Sequence, residues 1–176
     1  QSSIHGEILF CHRCSYLPNQ LHEIVKIERR VTTVARRPMD DVTDERRQLM
    51  GRVRGKNSAP ELAARSVAHE FGYRFRLHRK DLPGSPDLVF PRLRKVIFVH
   101  GCFWHRHPGC SRTTTPKTRQ EFWVEKFEAN VARDLRNLQD LETLGWKCRV
   151  VWECETKDPE SLRAILRAFL ADQTSL

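Results

Sequence analysis

Hydrophobic residues recur along the chain with two different periods, and the longer period predicts helices. Apolar positions three and four residues apart form an inward-facing stripe in three segments, each opened by a capping signature. In the first of these helices, Leu62 is expected to face inward with Val67 and Ala68. The predicted helices begin at Ser58 with Glu61 as its capping-box partner, at Thr118 with Glu121 in the same role, and at Asp158 ahead of Pro159.

The shorter period and three uninterrupted apolar runs predict strands. Residues 73–78 alternate apolar and polar side chains, as in a strand with one buried face. The apolar runs at 88–90, 96–99 and 148–152 predict strands that are buried on both faces. Residues 91–94 are short enough to join the first two runs as an antiparallel hairpin. This order of elements predicts an α/β fold, a sheet covered by helices.

The predicted hairpin brings a carboxylate beside an imidazole. With the turn centred between residues 92 and 93, Asp87 faces Phe98, and His100 is its diagonal neighbour on the same face. A carboxylate oxygen can hold Mg²⁺, and a neutral imidazole can take a proton from water. The pair therefore suits metal-assisted hydrolysis of a phosphodiester.

Three further residues are candidates for the same chemistry, and each has an ordinary alternative. His105 is either a second catalytic imidazole or a surface histidine. Asp134 is either a supporting carboxylate or a solvated position on the long helix, and Glu61 is either a supporting carboxylate or the capping-box residue alone.

Four ligand-type side chains surround the end of the second apolar run. Cys102, His107 and Cys110 stand within nine residues, and Cys154 follows a strand that can lie parallel to residues 96–99. Such a set favours a closed, structural zinc site. The alternative is buried thiols beside a hydrogen-bonded histidine, the interpretation we adopt for Cys148.

Composition narrows the class of partner. The 176 residues include 31 Lys and Arg against 22 Asp and Glu, a net charge of +9 and a pI of about 9.6. This excess is typical of nucleic-acid-binding proteins, although a basic surface without a ligand stays open. No apolar run approaches the roughly 20 residues of a membrane helix, and no export signal precedes the domain, so we expect a soluble, cytoplasmic protein without disulfides.

The N-terminal part divides into an extension and a basic segment. Residues 1–42 show no sustained period, and we interpret Cys11 and Cys14 within them as free thiols rather than half of a zinc site. In the following basic segment, Met50 and Val53 lie three residues apart, as on one helical face. That segment is either an arm lying against DNA or a solvated helix whose two apolar residues contact the core.

Several ordered motifs resemble those of the very-short-patch-repair (Vsr) mismatch endonucleases, from about residue 45 to the last helix. They are Asp87 after Pro-Gly-Ser-Pro, Phe98-Val-His-Gly-Cys-Phe-Trp-His105, Arg119-Gln-Glu-Phe-Trp123, Asn130-Val-Ala-Arg-Asp134, Leu144-Gly-Trp146 and Val151-Trp-Glu-Cys154. The resemblance implies a restriction-endonuclease-like fold over residues 43–176, with a central mixed β-sheet flanked by helices and a structural zinc site. It also implies a Mg²⁺-dependent nick in one strand of duplex DNA beside the thymine of a T:G mismatch, the lesion left when 5-methylcytosine deaminates.

The resemblance assigns roles to residues of this sequence. For catalysis these are Asp87 as the metal-binding carboxylate, Val99 as a Mg²⁺ ligand through its carbonyl, His100 and Asp134 as holders of waters on the metal, His105 as general base, and Glu61 as its support. For zinc they are Cys102, His107, Cys110 and Cys154. Pro108 and Gly109 add one residue to this loop relative to the family pattern, which puts the placement of the zinc ligands in question.

The same resemblance implies an aromatic wedge that enters the duplex beside the mismatch. Phe103, Trp104 and Trp123 occupy the matching positions, with core packing as their alternative role. Met50 and Val53 would approach the DNA from the opposite groove. The implied setting is a monomer in the bacterial cytoplasm, acting with other repair proteins.

Two rival functions follow from the same residues. A nuclease of the same fold serving restriction or defence would cut matched and mismatched DNA alike. A zinc-stabilised DNA-binding module that no longer cuts would bind without Mg²⁺ and give no product.

Overall fold

A computed structural model describes residues 56–172 of the chain, with three helices around a small sheet. Predictions for residues 1–42, including Cys11 and Cys14, and for Met50 and Val53 lie outside the described residues. The elements are α1 (Ala59–Glu70), β1 (Leu88–Phe90), β2 (Lys95–His100), α2 (Gln120–Thr143), β3 (Lys147–Trp152) and α3 (Pro159–Ala171), with 3₁₀ turns at Pro91–Leu93 and Glu155–Lys157.

The sheet is mixed and has the strand order β1-β2-β3. β1 and β2 form the predicted antiparallel hairpin, in which Leu88 pairs with Ile97. This register, continued by one residue, sets Asp87 opposite Phe98 as predicted. β3 runs parallel to β2, so the two strands end at the same edge of the sheet. The mixed sheet flanked by helices is therefore confirmed.

Helices cover both faces of the sheet, and alternation along β2 sends its side chains to each in turn. Val96 and Phe98 pack towards α2, whereas Ile97 packs towards α1 and α3. His100 continues the first of these faces and therefore points to the side where α2 lies. Burial of each large apolar side chain stabilises this arrangement by about 1.5–3 kcal/mol.

The first helix is closed by the predicted capping box. The Glu61 amide donates to Ser58 Oγ at 3.4 Å, and the Glu61 carboxylate accepts from the Ser58 hydroxyl and from the Asn57 amide, each at 3.0 Å. Gly72, with φ of +76°, follows the helix in the left-handed conformation that glycine adopts without steric cost. The cap fixes the Glu61 carboxylate at the start of α1.

Three local predictions are wrong. Leu62 is half exposed, on the solvent side of α1. The helix after Thr118 begins at Gln120, with Arg119 in the left-handed region at φ +54° and no side-chain cap, so its capping box does not form. Residues 73–78 form only an isolated bridge between Arg76 and Val89, because His78 turns the backbone away with φ of +46°.

A buried lysine ties the last helix to the sheet. Lys95, at the start of β2, donates from Nζ to the carbonyls of Phe169 at 2.7 Å and Leu170 at 3.3 Å. A positive charge at the carboxyl end of α3 also complements the helix dipole. Within residues 56–172, no helix is both long and apolar enough to cross a membrane.

Candidate active site

A cavity of about 580 Å³ opens beside the carboxyl end of β2. The start of α1, the segment before β1, β2 itself, the loop after it and the middle of α2 all contribute to its wall. The titratable side chains of Glu61, His78, Asp87, His100, His105 and Asp134 all line this cavity. The structure thus brings together the five catalytic residues predicted from the sequence and adds His78.

Asp87 stands immediately before β1, where one of its carboxylate oxygens is hydrogen-bonded and the other faces a histidine. Its Oδ2 accepts a hydrogen bond from the backbone amide of Val99 at 2.7 Å, and its Oδ1 lies 3.6 Å from His78 Nδ1. Burial raises the pKa of Asp87 to about 6, partly opposed by the Val99 hydrogen bond. A carboxylate that is costly to keep charged is well suited to bind a cation, because the cation relieves that cost.

His100 and His105 stack face to face, with ring centroids 3.9 Å apart and planes 15° apart. His100 is buried at the end of β2, and its Nδ1 has no hydrogen-bond partner among the described residues. Burial, together with the charge of His105, lowers the pKa of His100 to about 3. His100 is therefore a neutral ring at neutral pH.

Asp134 is bonded to His105, the more exposed ring of this stacked pair. Its Oδ2 lies 2.5 Å from His105 Nδ1, and Arg133 donates to its Oδ1 at 3.4 Å. Burial alone would raise the pKa of Asp134, but the His105 hydrogen bond and the nearby positive charges outweigh burial and lower it. With Nδ1 directed at a carboxylate, His105 has Nε2 left to exchange a proton.

Sequence reasoning missed His78, which completes a cluster with Glu61 and Asp87. Their ligand-type atoms lie within 4.8 Å of one another, and Arg65 donates to Glu61 Oε2 at 2.8 Å. Burial lowers the pKa of His78. No sequence signal singled out His78, since eight irregular residues separate it from Asp87.

The donors around the cavity fit a hard divalent cation near Asp87. Carboxylate oxygens of Glu61 and Asp87 are the ligand type that Mg²⁺ prefers, and Val99 also lines the cavity. A second set, made of His100, His105 and Asp134, also lies within 4.8 Å but offers mainly imidazole nitrogen. The oxygen-rich side of the cavity is therefore the better match for Mg²⁺.

The four predicted zinc ligands converge at the shared edge of β2 and β3. The ligand atoms of Cys102, His107, Cys110 and Cys154 all lie within 4.8 Å of one another. His107 Nδ1 is 3.7 Å from Cys102 Sγ and 3.2 Å from Cys154 Sγ. Zinc bonds to sulfur and nitrogen in a tetrahedron imply a separation of about 3.5 Å, so the set fits zinc.

The extra loop residue does not displace these ligands. The amide of His107 donates to the carbonyl of Cys102 at 3.1 Å, and that of Cys110 donates to the carbonyl of His107 at 3.3 Å. Gly109, at φ +68°, has the left-handed conformation that the turn requires. Burial raises the pKa of Cys102 to about 12, whereas the amide of Arg112 lowers the pKa of Cys110.

Aromatic rings connect this cluster to the cavity. His107 stacks on Trp152 with centroids 4.3 Å apart, and the edge of Trp152 contacts His100 at 5.6 Å between centroids. Because Trp152 is fully buried, the three rings form one packed row. The Cys and His cluster and the catalytic cavity are therefore packed against the same indole.

The predicted aromatic wedge is a compact cluster outside the cavity lining. The ring centroids of Phe103 and Trp104 are 5.1 Å apart, and those of Trp104 and Trp123 are 6.0 Å apart. Trp123 is buried, so most of its ring packs in the protein, while Phe103 and Trp104 are partly exposed. Phe122, which sequence reasoning missed, adds an exposed ring against Trp123.

Comparison with known proteins identifies the family. The model of the DNA mismatch endonuclease Vsr family matches residues 39–112. A type II nicking enzyme of Xanthomonas oryzae pv. oryzae, V.XorIIP, is 56% identical over 127 residues, covering 72% of this chain and 93% of the relative. The chain belongs to the Vsr family. It is accordingly a DNA endonuclease, a hydrolase of the phosphodiester backbone, and the rival interpretation as a non-cutting module is set aside.

Two further relatives of the Vsr-family chain carry similar names. The DNA mismatch endonuclease Vsr of Escherichia coli is 42% identical over 126 residues, covering 70% of this chain and 80% of the relative. A type II nicking enzyme of Neisseria meningitidis, V.NmeAIP, is 36% identical over 130 residues, covering 74% and 92%. Members of this family thus act on DNA, the partner that the basic composition predicted.

Proposed function

We propose that this chain nicks one strand of duplex DNA beside the thymine of a T:G mismatch produced by deamination of 5-methylcytosine. The observation that carries the proposal is the single cavity that gathers Asp87, His100, His105, Asp134 and Glu61. The E. coli relative named as a mismatch endonuclease supports a mismatched duplex as the substrate, and the choice of a T:G pair follows from the motif resemblance. The proposed catalytic domain spans residues 43–176, with a restriction-endonuclease-like fold.

In the proposed reaction, His105 is the general base. Asp134 accepts from Nδ1 of His105, which leaves Nε2 free to take the proton of an attacking water. The carboxylate then faces the imidazolium that forms and stabilises it. His100, neutral and stacked beneath, fixes the plane of the His105 ring.

Asp87 and Val99 would hold Mg²⁺ on the other side of the cavity, with Glu61 in support. When bound, the ion would polarise a phosphate oxygen and balance the charge that develops on it. Val99 fixes the carboxylate of Asp87 through its amide, so the carboxylate is already oriented before substrate arrives. Such preorganisation is a general source of rate enhancement.

Zinc at Cys102, His107, Cys110 and Cys154 is proposed as a structural ion. The ion would lie in the irregular loop after β2. Cys154, just after β3, would then connect this loop to the sheet through the ion. The partly exposed rings of Phe103 and Trp104, with Trp123 beneath, are proposed to enter the duplex beside the mismatch. Wedging costs least at a mispair, because its bases are already poorly stacked.

The decisive experiment compares two duplexes that differ in one base. One contains a T:G pair and the other a T:A pair at the same position, with each strand labelled separately. We expect Mg²⁺-dependent nicking of the T strand in the T:G duplex alone. Equal cutting of both duplexes would favour the rival, a restriction-associated or defence-associated nuclease.

A further inference from the structure

Arg65 connects α1 to the catalytic cavity through His78. Its Nη2 lies 3.0 Å from His78 Nε2 and 2.8 Å from Glu61 Oε2, and its Nη1 donates to Asn57 Oδ1 at 2.6 Å. Both terminal nitrogens of Arg65 therefore donate to oxygen acceptors at the start of α1. The guanidinium is held in one orientation by these contacts.

This contact determines which nitrogen of His78 carries the proton. A guanidinium only donates hydrogen bonds, so His78 Nε2 must accept from Arg65. A neutral imidazole that accepts at Nε2 carries its hydrogen on Nδ1. The protonated nitrogen is thus the one that lies 3.6 Å from Asp87 Oδ1.

The backbone keeps His78 in this place. Its amide donates to the carbonyl of Pro86 at 3.1 Å, which fixes His78 beside the residue that precedes Asp87. Its φ of +46° lies in the left-handed region, which residues other than glycine seldom occupy and which recurs at functional sites. The ring is therefore aimed at the carboxylate by the chain itself.

We propose that His78 is a positioning residue for Asp87, with Arg65 fixing its proton on Nδ1 so that Nδ1–H orients the Asp87 carboxylate. Val99 donates to Oδ2 at 2.7 Å, and Nδ1 of His78 faces Oδ1 at 3.6 Å, an electrostatic contact longer than a hydrogen bond, so each oxygen of the carboxylate has an N–H group beside it. The other lone pair of Oδ1 then remains available to a cation in the cavity. The inference rests on the proposed catalytic role of Asp87.

This assignment excludes His78 as a metal ligand through Nδ1, although its ring lies within ligand distance of Glu61 and Asp87. A nitrogen that carries a hydrogen has no lone pair for a cation. The other nitrogen, Nε2, is already engaged by the positive charge of Arg65. His78 thus acts on the reaction only through Asp87.

The test replaces His78 with Asn or Gln, because each of these side chains places a nitrogen near one of the two ring nitrogens. The amide nitrogen of Asn replaces Nδ1, and that of Gln replaces Nε2. We expect His78→Ala to lower kcat of Mg²⁺-dependent nicking about 10- to 100-fold with KM for DNA unchanged, as for partners of metal-ligating groups. His78→Asn should recover more of kcat than His78→Gln, and His69→Ala, at an exposed histidine on α1, should match the native rate.

A second measurement does not depend on activity, and its main result comes from the native chain. Nitrogen-15 NMR of the His78 ring in the native chain should show a protonated Nδ1 and an unprotonated Nε2. Arg65→Ala should move part of the population to the other tautomer. A native ring protonated on Nε2, a His78→Ala enzyme with native kcat, or better rescue by Gln than by Asn would each overturn the inference.

The outcomes separate this inference from the proposed function. If Asp87→Asn abolishes nicking while His78→Ala leaves it intact, the positioning role alone fails. If Asp87→Asn nicks as well as the native chain, the proposed catalytic site itself is wrong, whatever the His78 variants do.

Discussion

The rings of His100 and His105 lie 3.9 Å apart in a parallel stack, and only His105 is bonded to a carboxylate. Two protonated rings at this distance would repel strongly, since the interaction of like charges rises as their separation falls. Burial already holds the pKa of His100 near 3. His100 is therefore neutral at neutral pH, and the Asp134 carboxylate is bonded to the ring of His105, the proposed general base.

Replacement of Asp134 should disable this arrangement. In Asp134→Asn the amide can donate to His105 Nδ1, which favours the tautomer with its hydrogen on the wrong nitrogen. We expect kcat for nicking to fall about 100-fold or more. Asp140→Asn, at an exposed position on the same helix, is the matched control. Equal rates for the two variants would contradict the role of Asp134.

Replacement of Asp87 should separate stability from activity. Because the folded-state pKa is about 6, against the ordinary value of 3.8, the folded chain loses stability as pH rises from the lower value through the higher. Asp87→Asn removes this charge and should raise the free energy of unfolding at pH 7 by about 2 kcal/mol. The same variant should not nick.

Denaturant unfolding at two pH values measures this effect. The gain in Asp87→Asn should be present near neutral pH and shrink towards about pH 4, where the native carboxyl is also protonated. A gain that is the same at both pH values would show that the carboxylate is not the cause.

The pH dependence of nicking should follow the same carboxyl. The cation requires the charged form of Asp87, so we expect the rate to rise with pH through about 6. More Mg²⁺ should move the midpoint to lower pH, because the cation competes with the proton. Single-turnover rates at two Mg²⁺ concentrations measure this shift. A midpoint independent of Mg²⁺ would assign the titration to another group.

Loss of the proposed zinc ion from the Cys and His cluster should destabilise the fold and then the active site. We expect Cys154→Ser, or treatment with a zinc chelator, to lower Tm by about 5–10 °C, corresponding to about 2 kcal/mol. Cys148→Ala is the matched control, since this buried cysteine lies outside the cluster. Equal zinc content in Cys154→Ser and the native chain, by elemental analysis, would count against the site.

The aromatic cluster should govern the choice of substrate rather than the chemical step. We expect Trp104→Ala to reduce the ratio of T:G to T:A nicking about tenfold or more, since unstacking is worth a few kcal/mol per base step. Tyr73→Ala, which removes a partly buried ring from the opposite side of the sheet, should leave the ratio unchanged. An unaltered ratio in Trp104→Ala would place the detector elsewhere.

Local sequence patterns were enough to predict the hairpin, and with it the placement of Asp87 beside Phe98 and His100. With the turn centred between residues 92 and 93, the strand period predicts this register, and the structure has it. The convergence of Cys154 with Cys102 required only that β2 and β3 run parallel. Where two elements are joined by strand pairing, sequence is a sufficient guide.

The sequence did not predict the placement of side chains whose backbone has an unusual φ angle. His78 enters the cavity because its φ is positive and its amide bonds to Pro86, and neither property is visible in an alternating segment. Similarly, Arg119 adopts a left-handed conformation at the start of α2, so Thr118 does not cap the helix. Leu62 lies two residues before Ala64, so on a helix whose buried apolar positions are Ala64, Val67 and Ala68 it falls on the solvent side.

The indole of Trp152, enclosed between His107 and His100, gives this protein a built-in optical reporter. A histidine that gains positive charge beside a buried indole quenches its emission, and a shift of either ring changes the indole's surroundings. Once Trp104, Trp123 and Trp146 are replaced, emission from Trp152 should therefore follow ion loading at the thiol cluster without an attached dye.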